Sequence, residues 1–204
     1  IQSSSVTSVL VVGFVSSGLL TLSQSIGVII GANVGTTLTA QIIAFKITDY
    51  ALLAVAIGFG VTFISKSQPR QARGTALLGL GLVFFGMAVM GDAMSPLRTS
   101  DTFIDWMAAL DNPLLGITVA ALFTALVQSS SASLGIIIVL AQQGLIDISA
   151  GVPLVLGANI GTTITVALAV IGKPRTAVRA AVAHAFFKVV GVAIWLPFIV
   201  LLGR

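Results

Sequence analysis

The sequence predicts an all-α integral membrane fold built as an inverted repeat, with two re-entrant hairpins and broken transmembrane helices. Three observations predict it: an apolar composition, a pair of polar motifs repeated at one spacing, and loops that sort by charge. Of 204 residues, 57% are hydrophobic and 8% charged, against roughly one-quarter charged in ordinary soluble domains, so the bilayer is the expected solvent. Runs such as 76–89, 152–171 and 180–202 approach or reach the roughly 17–25 residues a helix needs to cross the hydrocarbon. They do not alternate polar with apolar residues as a β-barrel strand does, so helices fit better.

The net charge of +4 does not indicate nucleic acid, because the ten basic residues lie scattered between apolar runs without interleaved aromatics. They read as topology signals. The absence of Cys excludes disulfides and thiolate metal sites. The chain opens at Ile1 without an initiator Met, a charged n-region or a cleavage site, and it reads as a piece of something longer.

The duplication is ungapped. Gln2-Ser3-Ser4-Ser5 recurs 126 residues later (128 against 2) as Gln128-Ser129-Ser130-Ser131. At the same offset Gly31-Ala32-Asn33-Val34-Gly35-Thr36-Thr37 matches Gly157-Ala158-Asn159-Ile160-Gly161-Thr162-Thr163, Gly18-Leu19 matches Gly144-Leu145, and Ser23 matches Ser149. Two polar motifs held at one spacing mark a repeated structural unit. In the second copy an apolar arm, 114–127, is too short to span; Gln128–Ser131 interrupts it, and 132–141 returns. This is the pattern of a hairpin with its polar tip at membrane depth, tolerated only where protein or a water-filled cavity satisfies the backbone. The corresponding arm before Gln2 is absent. The Gly-Ala-Asn-X-Gly-Thr-Thr motif lies inside the next helix of each copy, 26–45 and 152–171, where two glycines flanking an Asn are expected to unwind it.

Three crossings, 26–45, 50–65 and 75–93, are expected between the copies, and an odd number inverts the second. Lys66, Arg70 and Arg73 then share a side with Lys173, Arg175 and Arg179, as the positive-inside rule requires of the cytoplasm. Asp49, Asp92, Asp101, Asp105, Asp111 and Asp147 fall on or near the other side. Segment 50–65, containing Gly58 and Gly60, is barely long enough and has the alternative of dipping and returning. Residues 102–110, with Trp106, read as an interfacial helix. The expected organisation is a first repeat (1–94: a hairpin lacking its first arm, then three membrane helices), an extracellular connector (95–113), and a second, inverted repeat (114–204: a hairpin, then two membrane helices).

Inverted repeats whose broken helices meet at the midplane form the architecture of secondary transporters. Serines at the start of each returning half-helix converge with its first backbone N–H groups, which gives an anion site without Arg or Lys. Sodium wants hard oxygens, supplied by the Gln2 and Gln128 amides, the Ser and Thr hydroxyls, and carbonyls freed around Asn33 and Asn159. A cation beside an anion offsets its charge in a low-dielectric interior.

Gln-Ser-Ser-Ser twice, each followed by Asn-X-Gly-Thr, resembles the sodium-dependent phosphate cotransporter family, the type II branch and its bacterial relatives. The resemblance covers nearly the whole chain. It implies sodium-coupled transport of inorganic phosphate by alternating access, a multi-pass protein of the cell membrane (the inner membrane in a bacterium), contact with membrane lipids, a homodimer, and no cofactor beyond the co-transported sodium ions. Carried to matching positions, it implies phosphate at Ser4, Ser5, Ser130, Ser131, Asn33 and Asn159. Sodium falls to Gln2, Ser3, Thr36, Thr37, Gln128, Ser129, Thr162 and Thr163.

Blander readings stand beside these. Small polar residues in membrane helices usually serve close packing, yet packing does not explain Gln and Asn retained in both copies, since buried amides are costly without partners. His184 and Lys188, one turn apart, read either as a transport-linked proton relay or as a snorkelling lysine beside a helix-bonded histidine. Gly79, Gly81 and Gly86 read as a helix-packing or dimer surface. An anion channel would use the same hydroxyls, though hairpins entering from opposite sides suit alternating exposure. A carboxylate substrate would favour an Arg fork, and no Arg lies in the motifs. A serine hydrolase would need one nucleophile with an oriented base, whereas the serine motif is doubled around a single His, so the chain is not expected to be an enzyme.

Overall fold

The computed structural model describes residues 3–45 and 48–202. Among these the chain is helical: α1 Ser4–Ser16, α2 Leu22–Ala44, a 3-10 turn Thr48–Tyr50, α3 Ala51–Ile64, α4 Gln68–Met94, a second 3-10 turn Ser95–Thr99, α5 Asp101–Ala109, α6 Pro113–Val127, α7 Ser130–Gln142, α8 Ile148–Gly161, α9 Thr163–Ala169 and α10 Arg175–Leu202. Four stretches are long and apolar enough to cross a membrane: Leu22–Ala44, Gln68–Thr99, Ile148–Ala169 and Arg175–Ile199.

The duplication seen in the sequence is repeated in the local geometry. Ser3 and Ser129 are the N-caps of α1 and α7, accepting from the backbone N–H of Val6 at 3.2 Å and Ala132 at 3.3 Å. Each helix ends at a glycine of positive φ, Gly18 (76°) and Gly144 (70°). The Leu19 N–H reaches the Phe14 carbonyl and the Leu145 N–H the Leu140 carbonyl, the six-to-one bond of a Schellman turn. That conformation requires glycine, which accounts for Gly18-Leu19 and Gly144-Leu145 at one spacing. Thr21 and Asp147, at the same offset, then cap α2 and α8.

The two copies differ in which neighbour their helices meet. On α1, Val11 and Val15 cluster with Ala180, and Val12 with Ala177 and Ala181, beside the basic start of α10. On α7 the chain runs from Ser130 to Gln143, which meets Gly91 near the end of α4 and accepts a hydrogen bond from Arg98. A cavity of about 620 Å³ at that end gathers Arg98, Asp111 and Asp147. The returning helices α1 and α7 thus end against different neighbours, the start of α10 and the end of α4.

Segment 50–65 is shorter as a helix than the hydrocarbon is thick. It forms α3, of 14 residues, about 21 Å at 1.5 Å per residue against a hydrocarbon core of roughly 30 Å. The helix begins only after the 3-10 turn at Thr48–Tyr50, and Pro69 in the first turn of α4 starts the next one. It does not dip and return either, because it runs straight through Gly58 and Gly60. Instead α3 lies antiparallel along α4: Gly58 faces Leu78, Gly74 faces Thr62 and Gly81 faces Val55, each so close that a Cβ would collide with backbone. Of the glycine series on α4, Gly81 therefore serves this packing, while Gly79 and Gly86 have no neighbour within 4 Å of a modest side chain.

In the second copy α6 runs parallel to α8, with Gly157 against Ile117 and Ala120, and Gly161 against Ala121 and Thr124. Between α6 and α7 the Thr124 hydroxyl donates to Ser133 Oγ at 2.7 Å. The helix α5, whose Trp106 is exposed, meets α6 at 105°.

Candidate functional site

The break between α6 and α7 falls at Gln128, which has φ 57°, the sole non-glycine residue of positive φ among those described. Holding a side-chain-bearing residue there costs about 1–2 kcal/mol, and it turns the chain so that Ser129 caps α7 and Ser130 and Ser131 form its first turn. The N–H groups of that turn have no intrahelical partner.

Ser130 and Ser131 face a cavity of about 170 Å³ whose other polar lining is Asn33, Thr36 and Thr37 from α2 and Asn159 from α8. Six of the residues expected at the site thus meet around one space, three from each copy of the motif. The volume is below the roughly 300–1,000 Å³ of drug-sized ligand sites, and no charged side chain lines it. The lining divides by hydrogen-bonding capacity. Thr36 donates to the Asn33 carbonyl at 2.9 Å and Thr37 to the Val34 carbonyl at 2.6 Å, so their oxygens have lone pairs left and no proton. Asn33 Oδ1 is buried without a partner. On this wall the site accepts; on the α7 wall, with serine hydroxyls and a helix N-terminus, it donates. An anion and a cation side by side satisfy both walls.

The remaining expected residues lie elsewhere. Ser3 lines, with Thr7 and Thr36, a neighbouring open cavity of about 540 Å³, and Thr36 is the wall between the two. Ser4 and Ser5 are buried on α1 and do not line the smaller cavity. Gln128 is exposed at the tip, and Thr163 begins α9. Gln2 lies outside the described residues.

The expected unwinding at the Gly-Ala-Asn-X-Gly-Thr-Thr motif is absent from the first copy and confined to one residue in the second. In the first copy α2 is continuous through the motif. In the second the ladder breaks at a single residue, Thr162. There the Asn159 carbonyl accepts from the Thr162 hydroxyl at 2.9 Å and from Lys188 Nζ at 3.0 Å, in place of the Thr163 N–H that a continuous helix would offer it. The glycines are spent on packing: Gly157 and Gly161 admit the α6 backbone, while Gly31 and Gly35 face open space.

Sequence reasoning left Lys188 and His184 between two readings, and their partners were not legible. Lys188 does not snorkel. It is 3% exposed and donates to Thr162 Oγ1 at 2.5 Å as well as to Asn159. His184 is fully buried, with Nδ1 at 3.0 Å from Ser8 Oγ on α1 and Nε2 without a partner. Ser8 has no polar counterpart in the second copy, where Leu134 stands, so the repeat carried no signal for it.

Comparison with known proteins identifies the family of the chain. The Na+/Pi-cotransporter family model matches residues 1–92 and 98–201. The chain is 36% identical over 200 residues to the uncharacterized protein YqeW of Bacillus subtilis, covering 98% of this chain and 65% of that protein. It is 31% identical over 206 residues to an Escherichia coli K12 protein named "Putative inorganic phosphate export protein YjbB", covering all of this chain and 38% of that one. Human sodium-dependent phosphate transport protein 2B is 34% identical over 138 residues, 62% of this chain and 20% of that protein. The chain therefore spans less than two thirds of the length of each. No solved structure matches it. The chain belongs to the Na+/Pi-cotransporter family.

Proposed function

We propose that the chain is the membrane core of a sodium-coupled transporter of inorganic phosphate that works by alternating access. The observation that carries this reading is the small uncharged cavity in which Asn33, Thr36 and Thr37 of one copy face Ser130, Ser131 and Asn159 of the other. Phosphate binds against the first turn of α7, where serine hydroxyls and unpaired N–H groups donate to it. Sodium binds against α2, where Thr36 and Thr37 offer hydroxyl oxygens whose protons are already engaged and Asn33 offers its side-chain oxygen. Asn159 stands between them and contacts the anion through its amide.

The two copies are inverted, and each hairpin enters from its own side of the membrane. The different surroundings of their ends support this: α1 finishes beside the start of α10, and α7 beside the cavity that gathers Arg98, Asp111 and Asp147. The α5 helix lies along the membrane surface with Trp106 at the interface, which its 105° bend from α6 supports. The face of α4 carrying the exposed Gly79 and the half-buried Gly86 is the surface for a homodimer.

The test is uptake of radiolabelled phosphate into proteoliposomes. Uptake driven by an inward sodium gradient and absent in choline is expected; equal uptake in the two salts would refute the coupling.

A further inference from the structure

Each motif makes the same threonine-to-carbonyl hydrogen bond. In the first copy the Thr36 hydroxyl donates to the Asn33 carbonyl at 2.9 Å; in the second the Thr162 hydroxyl donates to the Asn159 carbonyl at 2.9 Å. In the second copy, where the ladder breaks at Thr162, both oxygens have lone pairs free for a cation. In the first, α2 is continuous, so the Asn33 carbonyl also takes the Thr37 N–H, and the free acceptors are the Thr36 hydroxyl oxygen and the Asn33 side-chain oxygen. The surroundings then diverge. At the first pair no Lys or Arg lines either adjoining cavity, and Asn33 Oδ1 beside it is buried and unpartnered. At the second pair the ammonium of Lys188 is already bonded to both oxygens, at 3.0 and 2.5 Å.

Lys188 lies well inside α10, a span-length apolar helix, and is 3% exposed. A charge at that depth is costly and usually functional, and its acceptors here are neutral, so it is not held by an ion pair with Asp or Glu. Snorkelling, the ordinary resolution for a membrane lysine, is not taken. Position 62, 126 residues before it, is a threonine.

We propose that the Lys188 ammonium is a tethered cation occupying, in the second copy, the ion position that the first copy leaves open to sodium. The inference rests on the sodium-coupled reading of the site. It deepens that reading in one respect: the doubled motif does not bind two equivalent sodium ions, because one position is filled by the protein. The tethered charge lies one residue behind the cavity wall, at the Asn159 carbonyl, where it offsets the charge of an anion held by Ser130 and Ser131. It also accounts for the helix break at Thr162, which has no counterpart in α2.

The test is a sodium-binding measurement, so that it does not depend on transport. The purified protein is melted in sodium chloride and in choline chloride at equal ionic strength, as wild type and as Lys188→Ala. Emptying the position admits a sodium ion, so the variant melts lower in choline and gains more from sodium than wild type does. Mass action on the new site makes that extra gain grow with sodium concentration. In proteoliposomes the Hill coefficient for sodium rises by about one. A sodium-specific gain no larger in the variant than in wild type overturns the proposal. If wild type shows no sodium response but Lys188→Ala acquires one, Lys188 fills a cation position as proposed, while the sodium-coupled reading, and with it sodium in the first copy, falls. Should the variant fail to fold, Thr36→Ala and Thr162→Ala decide the matter. Loss of the sodium-dependent gain in Thr36→Ala alone supports the proposal, and equal loss in both, or in neither, contradicts it.

Discussion

The motif glycines give a matched pair of substitutions with opposite expected signs. A Cβ at Gly157 would lie 2.2 Å from the Ile117 carbonyl oxygen and 2.9 Å from the Ala120 Cβ. The first of these is backbone, so Gly157→Ala is accommodated only by moving α6 away from α8. Overpacking of this kind costs about 1–3 kcal/mol, less about 1 kcal/mol regained from the higher helix propensity of Ala. The corresponding Gly31 has nothing within 4 Å, so Gly31→Ala keeps the propensity gain of about 1 kcal/mol with no collision to offset it. For a chain of this size 1 kcal/mol moves the melting temperature by roughly 2–4 °C. Thermal unfolding in detergent, followed by the fluorescence of Trp106 and Trp195, should place Gly157→Ala below wild type and Gly31→Ala at or above it. Equal destabilisation by the two substitutions would refute the packing argument and point to a purpose common to both motif glycines.

Three other outcomes follow from local geometry. Gln128→Gly relieves the positive φ and should stabilise the fold by about 1 kcal/mol, while reducing phosphate uptake if the amide contacts a ligand; melting and uptake on one preparation separate the two effects. Ser8→Ala strips His184 of its partner at Nδ1 while Nε2 is already unpaired, and leaving a buried polar group unsatisfied costs about 1–3 kcal/mol, readable as a drop in melting temperature. The Asp147 carboxyl, which accepts from the Ser149 hydroxyl and the Ala150 N–H at the start of α8, is held below the usual carboxylate value. Its folded state therefore binds fewer protons than the unfolded chain. The stability it lends is present above the unfolded value of about 3.9 and is lost as pH falls through the lower folded value. Asp147→Ala should melt below wild type at neutral pH, and the gap should close in acid.

Much of the fold was legible because it rests on local rules. The offset of 126 predicted equivalent helices, and the caps at Ser3 and Ser129, the turns at Gly18 and Gly144, and the helix starts after Thr21 and Asp147 all keep that register. The unwinding at the motif was misjudged because glycine in a helix has two uses: it can break the helix or admit a neighbouring backbone. At Gly157 and Gly161 the neighbour α6 decides for packing, which is a tertiary fact. Segment 50–65, barely long enough in sequence, is shorter still as a helix, since an apolar run does not reveal where a 3-10 turn will take its first residues. The polar residues around the small cavity are among those the sequence singled out, and a site shared by the two copies was expected; the sequence paired the two serine tips, whereas this cavity sets the serines of α7 against α2. Nor did the sequence reveal that Lys188 would reach Thr162 rather than the membrane surface, because a lysine's destination depends on which acceptors lie within its span.

The central claim is that one site is made jointly by the two copies. It is tested most directly by sodium-driven uptake of radiolabelled phosphate in proteoliposomes carrying Thr36→Ala or Ser130→Ala, one substitution from each copy, at matched protein content. Loss of uptake in both variants, each with the wild-type melting temperature, is the predicted result. Full uptake in either variant would contradict a shared site.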